Sequence, residues 1–134
     1  MTKPSPIVVI TGATNGMGLA TTKLMQTKGV ITIVCDREPS DDPNYLFLDL
    51  MNPASVTECV RSIPEGIDAL FNCAGVAPIN HPNRVVLEVN WLGTKSLTEQ
   101  VLPKIKPSGS VTTVASRAGA NWDANVIQLK RFLT

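Results

Sequence analysis

A glycine-rich turn between a β-branched run and a helical pattern most constrains the fold of this 134-residue chain. The β-branched run covers residues 7–10, and the turn that follows covers residues 11–18, with glycines at positions 12, 16 and 18. Apolar residues then recur at helical spacing, namely Leu19, Ala20, Leu24 and Met25. This pattern predicts a strand, a tight loop and a helix that begins at the loop.

Such a loop brings backbone amides and the positive end of a helix dipole to one point, which suits the pyrophosphate of a dinucleotide. Glycine permits both the tight turn and the close approach of a ligand to the backbone. The alternative is that the glycines only permit the turn. We predict that the loop binds a dinucleotide through Gly12, Thr14, Asn15, Gly16, Met17 and Gly18.

Strands and helices alternate through the rest of the chain. Apolar runs predict strands at residues 30–34, 45–50, 67–73 and 110–115. One helix is predicted after the cap formed by Asn52 and Pro53, with Val56, Val60 and Ile63 as its buried stripe. A longer helix is predicted at residues 84–102, and its apolar face is formed by Val85, Val89, Leu92 and Val101.

The fold class follows from this alternation. Strands without polar alternation need helices on both faces of the sheet, and short crossovers make the strands parallel. We therefore predict one α/β domain over residues 1–134, with a Rossmann-like doubly wound sheet in the strand order 3-2-1-4-5. Residues 117–134 are expected to be irregular or to form a short helix.

The charges are nearly balanced, with 12 Lys and Arg residues against 11 Asp and Glu residues. No run of like charges occurs, which argues against nucleic acid or an anionic membrane as a partner and favours a small molecule. No apolar stretch approaches the roughly 20 residues that cross a bilayer, and the first residues lack the apolar core of a signal peptide. We therefore expect a cytoplasmic protein.

Three cysteines and one histidine offer little for a metal site. Cys35, Cys59 and Cys73 are far apart in apolar segments, which predicts buried free thiols. His81 lies in a predicted loop. Because zinc needs three or four ligands brought together, no metal is expected.

An acidic residue closes the second predicted strand. Asp36 lies 18 residues beyond Gly18, close to the roughly 20 residues expected for an acid that binds the adenosine ribose. Its carboxylate is suited to accept hydrogen bonds from ribose hydroxyls and to repel a 2′-phosphate, which favours NAD over NADP. Arg37 is suited to the opposite role, because its guanidinium pairs well with phosphate. A solvated carboxylate at a strand end is the alternative for Asp36.

Several motifs, taken in order, resemble those of the short-chain dehydrogenase/reductase family. Residues 11–18 resemble the cofactor loop of the family, with Met17 where isoleucine is usual. Asp49 with Leu50 resembles the pair that carries the adenine-contacting acid. Residues 72–75 read Asn-Cys-Ala-Gly and resemble the family's Asn-Asn-Ala-Gly motif. The likeness covers roughly residues 6–119.

The resemblance implies roles for further residues. Asn72, Ala74 and Gly75 are expected at the cofactor, Asn90 would support a proton relay, and Ser116 would orient the substrate carbonyl. Each polar residue also has a structural alternative. These are a turn cap for Asp49, backbone pairing at a strand end for Asn72, a buried structural amide for Asn90 and a turn hydroxyl for Ser116.

The spacing between two of these motifs points to one branch of the family. Asn72 and Asn90 are separated by 17 residues, so the helix usual between them is shortened to the loop at 76–83. This resembles the bacterial 3-alpha-hydroxysteroid dehydrogenase/carbonyl reductase branch. The resemblance therefore implies a nicotinamide-dependent oxidoreductase that acts on an alcohol or ketone, a hydroxysteroid or a small carbonyl.

The chain departs from the family pattern at the general acid. Members use a tyrosine with a lysine four residues further on, whereas the single tyrosine here is Tyr45, in the third predicted strand. We therefore expect the C-terminal part of the fold to be missing and this chain alone to be inactive. A homo-oligomer formed through the helix at 84–102 or the fifth strand is expected. The rival hypothesis is a non-catalytic dinucleotide-binding or interaction module.

Overall fold

Five parallel strands form the sheet of this computed structural model, which describes residues 4–133. The strands are β1 (Ile7–Thr11), β2 (Ile31–Asp36), β3 (Tyr45–Phe47), β4 (Ile67–Asn72) and β5 (Ile105–Thr113). They lie side by side in the order β3-β2-β1-β4-β5. The predicted α/β class and strand order are confirmed.

Helical segments connect the strands. They are α1 (Gly16–Thr27), α2 (Pro53–Ser62), α3 (Asn83–Leu87) and α4 (Thr94–Val101), with the π-helical segment Glu88–Gly93 joining α3 to α4. A 3₁₀ turn, Leu102–Lys104, leads into β5. The tail contains the 3₁₀ turns Arg117–Gly119 and Trp122–Asn125, followed by α5 (Val126–Leu133).

Helices pack on both faces of the sheet. On one face, Val56 of α2 and Leu97 of α4 pack with Val9 and Leu70 of the strands. On the other face, Met25 of α1 packs against a second apolar cluster that includes Ile10, Val34 and Ala69. The central strands β1, β2 and β4 are therefore largely buried on both sides, which explains why they lack polar alternation, whereas much of the edge strand β5 is exposed.

The ends of the first two helices follow the predicted local chemistry. Asn52 accepts hydrogen bonds through its side chain from Ala54 N at 3.0 Å and Ser55 N at 3.4 Å, so it caps α2 as predicted. Gly29, two residues beyond the end of α1, has φ +74°. That left-handed conformation is typical of the glycine that follows the end of a helix.

Two strand predictions need correction. β3 ends at Phe47 and not at residue 50, because the chain leaves the sheet edge there and turns towards α2. β5 begins at Ile105 and ends at Thr113, whereas the prediction was 110–115. Its register slips between the pairs Ile67–Ile105 and Ala69–Ser110, and an edge strand tolerates the irregular segment around Pro107.

Two burial predictions are also wrong. Leu92 is 51% exposed, whereas Leu97 and Val101 are buried. The π-helical segment adds a residue to one turn, which rotates Leu92 away from the face that continues in α4. Cys73 is only partly buried, while Cys35 and Cys59 are buried, and all three thiols are free.

Candidate functional site

A cleft of about 430 Å³ opens at the carboxyl ends of β1, β2 and β4. Ligands of open α/β sheets bind at this edge, where the direction of the chain connections reverses. The volume lies within the usual range for small-molecule sites, roughly 300–1,000 Å³. Most of the predicted cofactor residues line it, namely Gly12, Thr14, Asn15, Gly16, Met17, Asp36, Arg37, Asp49, Leu50, Ala74 and Gly75.

Two glycines of the turn allow the backbone to pack closely. A Cβ atom on Gly12, which has φ +61°, would lie 2.7 Å from the Cα atom of Ala74. A Cβ atom on Gly18 would collide with the carbonyl group of Gly12. Gly18 does not line the cleft, so its structural contribution is to hold α1 against the loop.

The first turn of α1 presents amides to the cleft. Asn15 caps the helix and accepts a hydrogen bond from Gly16 N at 2.7 Å. The first hydrogen bond of the helix ladder is Leu19 N to Asn15 O at 3.0 Å. The amides of Met17 and Gly18 precede it and therefore have no partner within the helix. Because the first turn holds no acidic residue, these amides and the helix dipole favour an anion.

The carboxylate of Asp36 is fixed by the loop opposite it. Its Oδ2 accepts hydrogen bonds from Thr14 N at 3.0 Å and Thr14 Oγ1 at 2.8 Å. Its Oδ1 accepts from Glu38 N at 3.1 Å. A carboxylate has about four acceptor positions, so Oδ1 retains one for a ligand. The sequence indicated both Asp36 and Thr14 as site residues, but not that Thr14 orients the carboxylate of Asp36.

Asp49 and Leu50, the pair predicted to contact adenine, lie at the start of the loop to α2. Asp49 donates through its main-chain N–H to Ser55 Oγ at 2.9 Å, and its Oδ1 accepts from Met51 N at 2.9 Å. Asp49 thus closes the turn before α2, the alternative role considered for it, and it also lines the cleft with Leu50.

A buried hydroxyl ties β1 to the residues after β4. Thr11 is 1% exposed, and its Oγ1 accepts hydrogen bonds from Cys73 N at 3.2 Å and Ala74 N at 3.1 Å. These contacts hold one wall of the cleft against the glycine-rich turn. Thr11 begins that turn in the sequence, but nothing in its spacing distinguishes it as a bridge between strands.

Asn72 is placed behind the cleft wall and does not line the cleft. It is 3% exposed, and its Nδ2 donates to Thr98 Oγ1 at 3.0 Å and Thr113 Oγ1 at 3.3 Å. Its Oδ1 is buried without a hydrogen-bond partner among the described residues. The side chain therefore links the end of β4 to α4 and β5, which is close to the structural alternative.

The two residues expected to act on the substrate lie outside the cleft lining. Asn90, in the π-helical segment, is exposed. Its Oδ1 accepts a hydrogen bond from Val76 N at 2.8 Å, and its Nδ2 donates to Val76 O at 2.9 Å. Ser116 is exposed after β5, and its Oγ accepts from Ala118 N at 3.1 Å. Asn90 therefore lies at the edge of the cleft, because it bonds to Val76, which lines the cleft. Ser116 caps the 3₁₀ turn Arg117–Gly119.

Six lining residues were not predicted, namely Cys35, Glu38, Leu48, Cys73, Val76 and Val89. Each of them is adjacent in sequence to a predicted site residue, and this adjacency is the signal that could have identified them. Burial raises the pKa of the Cys73 thiol, and a hydrogen bond with Thr21 partly offsets this. Cys35 shares a hydrogen bond with Cys59 over 3.8 Å between the sulfurs. That contact, followed by burial, raises the pKa of Cys35.

The described residues contain neither a metal-binding cluster nor a membrane-spanning helix. No group of three or more His, Cys, Asp or Glu side chains in residues 4–133 is arranged to hold a metal ion. None of the helices in that range is both long and apolar enough to cross a membrane.

Comparison with known proteins identifies the family. A model of the family described as short chain dehydrogenase matches residues 6–127. This match covers most of the chain, so the chain belongs to the short chain dehydrogenase family, whose members are oxidoreductases with a Rossmann-like fold. The resemblance inferred from the sequence motifs is confirmed.

Over the aligned residues, individual relatives are about a quarter to two fifths identical to this chain. Coniferyl-alcohol dehydrogenase of Pseudomonas sp. is 38% identical over 121 residues, covering 89% of this chain and 47% of that protein. Carbonyl reductase [NADPH] 1 of Mus musculus is 29% identical, covering 87% and 50%. The 3-alpha-hydroxysteroid dehydrogenase/carbonyl reductase of Comamonas testosteroni, from the branch indicated by the motif spacing, is 26% identical, covering 92% and 49%.

The fold is also found in a solved structure. The 3-alpha-hydroxysteroid dehydrogenase of Pseudomonas sp. B-0831, crystallised with NADH, superposes with a TM-score of 0.75 at 24% identity, covering 90% of this chain and 52% of that chain. This chain spans about half the length of the curated relatives described above.

Proposed function

We propose that this chain binds NAD across the cleft and forms the cofactor-binding part of an oxidoreductase that interconverts an alcohol and a ketone. The observation that carries the proposal is the meeting of two groups at one sheet edge. These are the free amides at the start of α1 and the Asp36 carboxylate, which is fixed by three hydrogen bonds. One group suits a pyrophosphate and the other suits a ribose.

The residues present fit the parts of a dinucleotide. The amide of Met17, which lines the cleft, would bind the pyrophosphate, and Asp36 would accept a hydrogen bond from a ribose hydroxyl at Oδ1. Asp49 and Leu50 would flank the adenine. The residues that follow β4, Ala74 and Gly75, would border the path towards the nicotinamide, which accepts or donates a hydride when the cofactor is bound.

The charge at the ribose favours NAD in this proposal. Asp36 would repel the 2′-phosphate of NADP, while Arg37 lines the same cleft with the opposite charge. Arg37 is paired with Glu38, the Nε–Oε1 distance being 3.6 Å, so its charge is already balanced in part. The mouse relative is named for NADPH, which makes the choice of cofactor a necessary test.

Calorimetric titration of the chain with NADH and NADPH tests the proposal. We expect NADH to bind more tightly than NADPH. Asp36→Asn should reduce the ratio of NADH affinity to NADPH affinity by about tenfold, which is the usual scale for one charge near a phosphate in water. Asp123→Asn, in the 3₁₀ turn Trp122–Asn125 and outside the cleft lining, is the control. Equal or tighter NADPH binding by the unmodified chain would refute the NAD preference.

For the substrate end, we propose that Ser116 orients a carbonyl and Asn90 holds a relay water in the complete enzyme. The single tyrosine of these 134 residues is Tyr45, in β3. Its hydroxyl donates a hydrogen bond to the main-chain oxygen of Asp36 at 3.0 Å. It is therefore not placed to act as a proton donor beside Ser116. General acid/base catalysis contributes about 10²–10⁴-fold, so we expect this chain by itself to show no turnover typical of the family.

The NADH absorbance of a reaction with steroid and small carbonyl substrates measures this directly. Intact mass must first show that the polypeptide ends at Thr134. Robust turnover that is abolished by Ser116→Ala would contradict the expectation and would imply a proton donor on another residue.

We also propose that the chain forms a homo-oligomer through the segment from α3 to the 3₁₀ turn before β5. Trp91, Leu92 and Leu102 of this segment are about half exposed, at 45%, 51% and 51%. A specific interface typically buries about 800 Å² per partner. Light scattering should report a dimer, and Trp91→Ser with Leu92→Ser should shift it towards monomer. Monomer alone at high concentration would refute this.

A further inference from the structure

Two buried thiols that the proposed function does not use are in contact within the core. Cys35 belongs to β2 and Cys59 to α2, and their sulfurs are 3.8 Å apart. Cys35 is 0% exposed and Cys59 is 3% exposed. Both pack in the apolar cluster between α2 and the sheet. They are 24 positions apart in the sequence, so the folded sheet and helix are what bring the sulfurs together.

The third cysteine is kept away from this pair. Cys73 follows β4 and packs against the apolar cluster on the opposite face of the sheet. It is partly buried and lines the cleft. An oxidant that acts on the folded chain therefore meets one pair of neighbouring thiols and one isolated thiol.

We propose that Cys35 and Cys59 form a modification site at which a peroxide converts the two thiols reversibly into a disulfide. The sulfurs of a disulfide are about 2 Å apart, so the present contact must shorten by roughly the same length. A small shift of α2 towards β2 supplies this movement. A thiol without a neighbouring thiol has no such partner, and its oxidation stops at sulfenic acid or continues to sulfinic acid.

The reaction consumes one hydrogen peroxide and releases two waters. The thiolate of Cys59 attacks one peroxide oxygen, the O–O bond breaks, and a sulfenic acid forms on Cys59. The hydroxide that leaves takes up the proton that Cys59 released. The sulfur of Cys35 then attacks the Cys59 sulfur, and the sulfenic hydroxyl leaves as water with the proton of Cys35. Both sulfurs are oxidised, and both peroxide oxygens are reduced.

The contact between the thiols also favours one order of attack. The hydrogen bond that Cys59 shares with Cys35 lowers the pKa of Cys59, against the opposing effect of burial. Cys59 is therefore the first of the two to become a thiolate, and Cys35 is the partner that resolves the sulfenic acid. Because both sulfurs are buried, a peroxide reaches them only when the packing around α2 opens locally. The reaction should therefore be slow in the folded chain.

The disulfide would close a loop that carries one side of the cleft. Asp36, Asp49 and Leu50 line the cleft and lie between the two cysteines in the sequence. A covalent link between β2 and α2 restricts the unfolded chain, which stabilises the folded state. We expect the urea midpoint of the oxidised chain to rise by about 1 M and to return to its first value after reduction with dithiothreitol.

The experiment uses the Cys73→Ser variant of the whole chain, which keeps the pair and removes the isolated thiol. The folded variant is treated with hydrogen peroxide, the peroxide is destroyed with catalase, and free thiols are alkylated in denaturant. We expect an intact mass lower by two hydrogen atoms, no alkylation, and a proteolytic peptide pair that joins Cys35 to Cys59. Dithiothreitol should restore both free thiols.

A second variant controls for the pairing. Cys59→Ala in the same Cys73→Ser background leaves Cys35 without a neighbouring thiol, so peroxide should produce no disulfide within the chain. If this variant does not fold, the peptide map of Cys73→Ser still decides the question. In the unmodified chain the linked peptides should again contain Cys35 and Cys59, with Cys73 outside the link.

Three results would overturn the inference. The first is a folded Cys73→Ser chain that keeps two free thiols under conditions that form the disulfide in its urea-unfolded form. The second is a gain of oxygen atoms on Cys35 or Cys59 without a link between them. The third is a link in the unmodified chain that includes Cys73. None of these results depends on the binding of a dinucleotide, so the proposed function is tested separately.

Discussion

Replacing Thr11 by valine removes one hydroxyl group from the core and should weaken the wall of the cleft. Thr11 Oγ1 accepts hydrogen bonds from the amides of Cys73 and Ala74, at 3.2 and 3.1 Å. Valine cannot accept either bond, and it fills nearly the same space, so water does not easily take the place of the oxygen. Both amides are left without this partner at a site where Thr11 itself is 1% exposed.

The expected loss can be worked from these two bonds. An unsatisfied buried donor costs about 1–3 kcal/mol. Cys73 and Ala74 are only partly buried, so we take the lower part of that range for each amide. The free energy of unfolding should therefore fall by about 2–3 kcal/mol in Thr11→Val. Thr11→Ser keeps the acceptor and loses one methyl group, which should lower it by about 1 kcal/mol.

Urea unfolding followed by circular dichroism at 222 nm measures both variants. For a urea dependence of about 1–3 kcal/mol per molar, the midpoint of Thr11→Val should lie about 1 M below that of the unmodified chain. Thr11→Ser should lie between them. If the valine variant were as stable as the serine variant, Thr11 would not be the tie between β1 and the residues after β4.

Three further outcomes are expected. Gly18→Ala should destabilise the fold by about 1–3 kcal/mol, as overpacking does, because its Cβ would collide with the Gly12 carbonyl; an unchanged melting temperature would contradict this. Burial raises the pKa of Cys73, which lines the cleft, so iodoacetamide should modify it slowly at pH 7, and more slowly still with NADH present; equal rates with and without NADH would place the cofactor elsewhere. Burial, followed by the charge of Asp36, raises the pKa of Tyr45. The unfolded phenol, with a pKa of about 10, ionises first as the pH rises. The free energy of unfolding should therefore fall above that pH. In alkaline urea titrations Tyr45→Phe should lose less of this free energy than the unmodified chain. Identical pH profiles for the two proteins would contradict the shift in the pKa of Tyr45.

Local patterns were sufficient for the element order. The glycine-rich turn after a β-branched run, the cap at Asn52 and the left-handed Gly29 are each determined by residues within one turn of the chain. Continuous apolar strands then required helices on both faces. Chain connectivity and handedness leave few sheet orders for such a pattern, which is why the order could be predicted before any contact was known.

Contacts beyond the local sequence account for the wrong predictions of strand bounds and side-chain burial. β5 begins earlier than its apolar run because residues before Pro107 pair with the start of β4 at the sheet edge. Leu92 faces outward because the π-helical segment shifts the helix phase, and the 3.6-residue periodicity of the sequence carries no sign of that extra residue. The burial of Cys73 is incomplete because the chain leaves the sheet at Asn72 and enters the cleft wall.

Local sequence was enough to identify the groups available to a dinucleotide, namely the amides of a glycine-rich helix start and an acid at the end of the second strand. The orientation of these groups depends on contacts between distant parts of the chain. Thr14 and Glu38 fix the Asp36 carboxylate, and Thr11 fixes the opposite wall. These hydrogen bonds join residues up to 63 positions apart. Their geometry is set by where parallel strands end side by side, a property of the assembled sheet that no local pattern encodes.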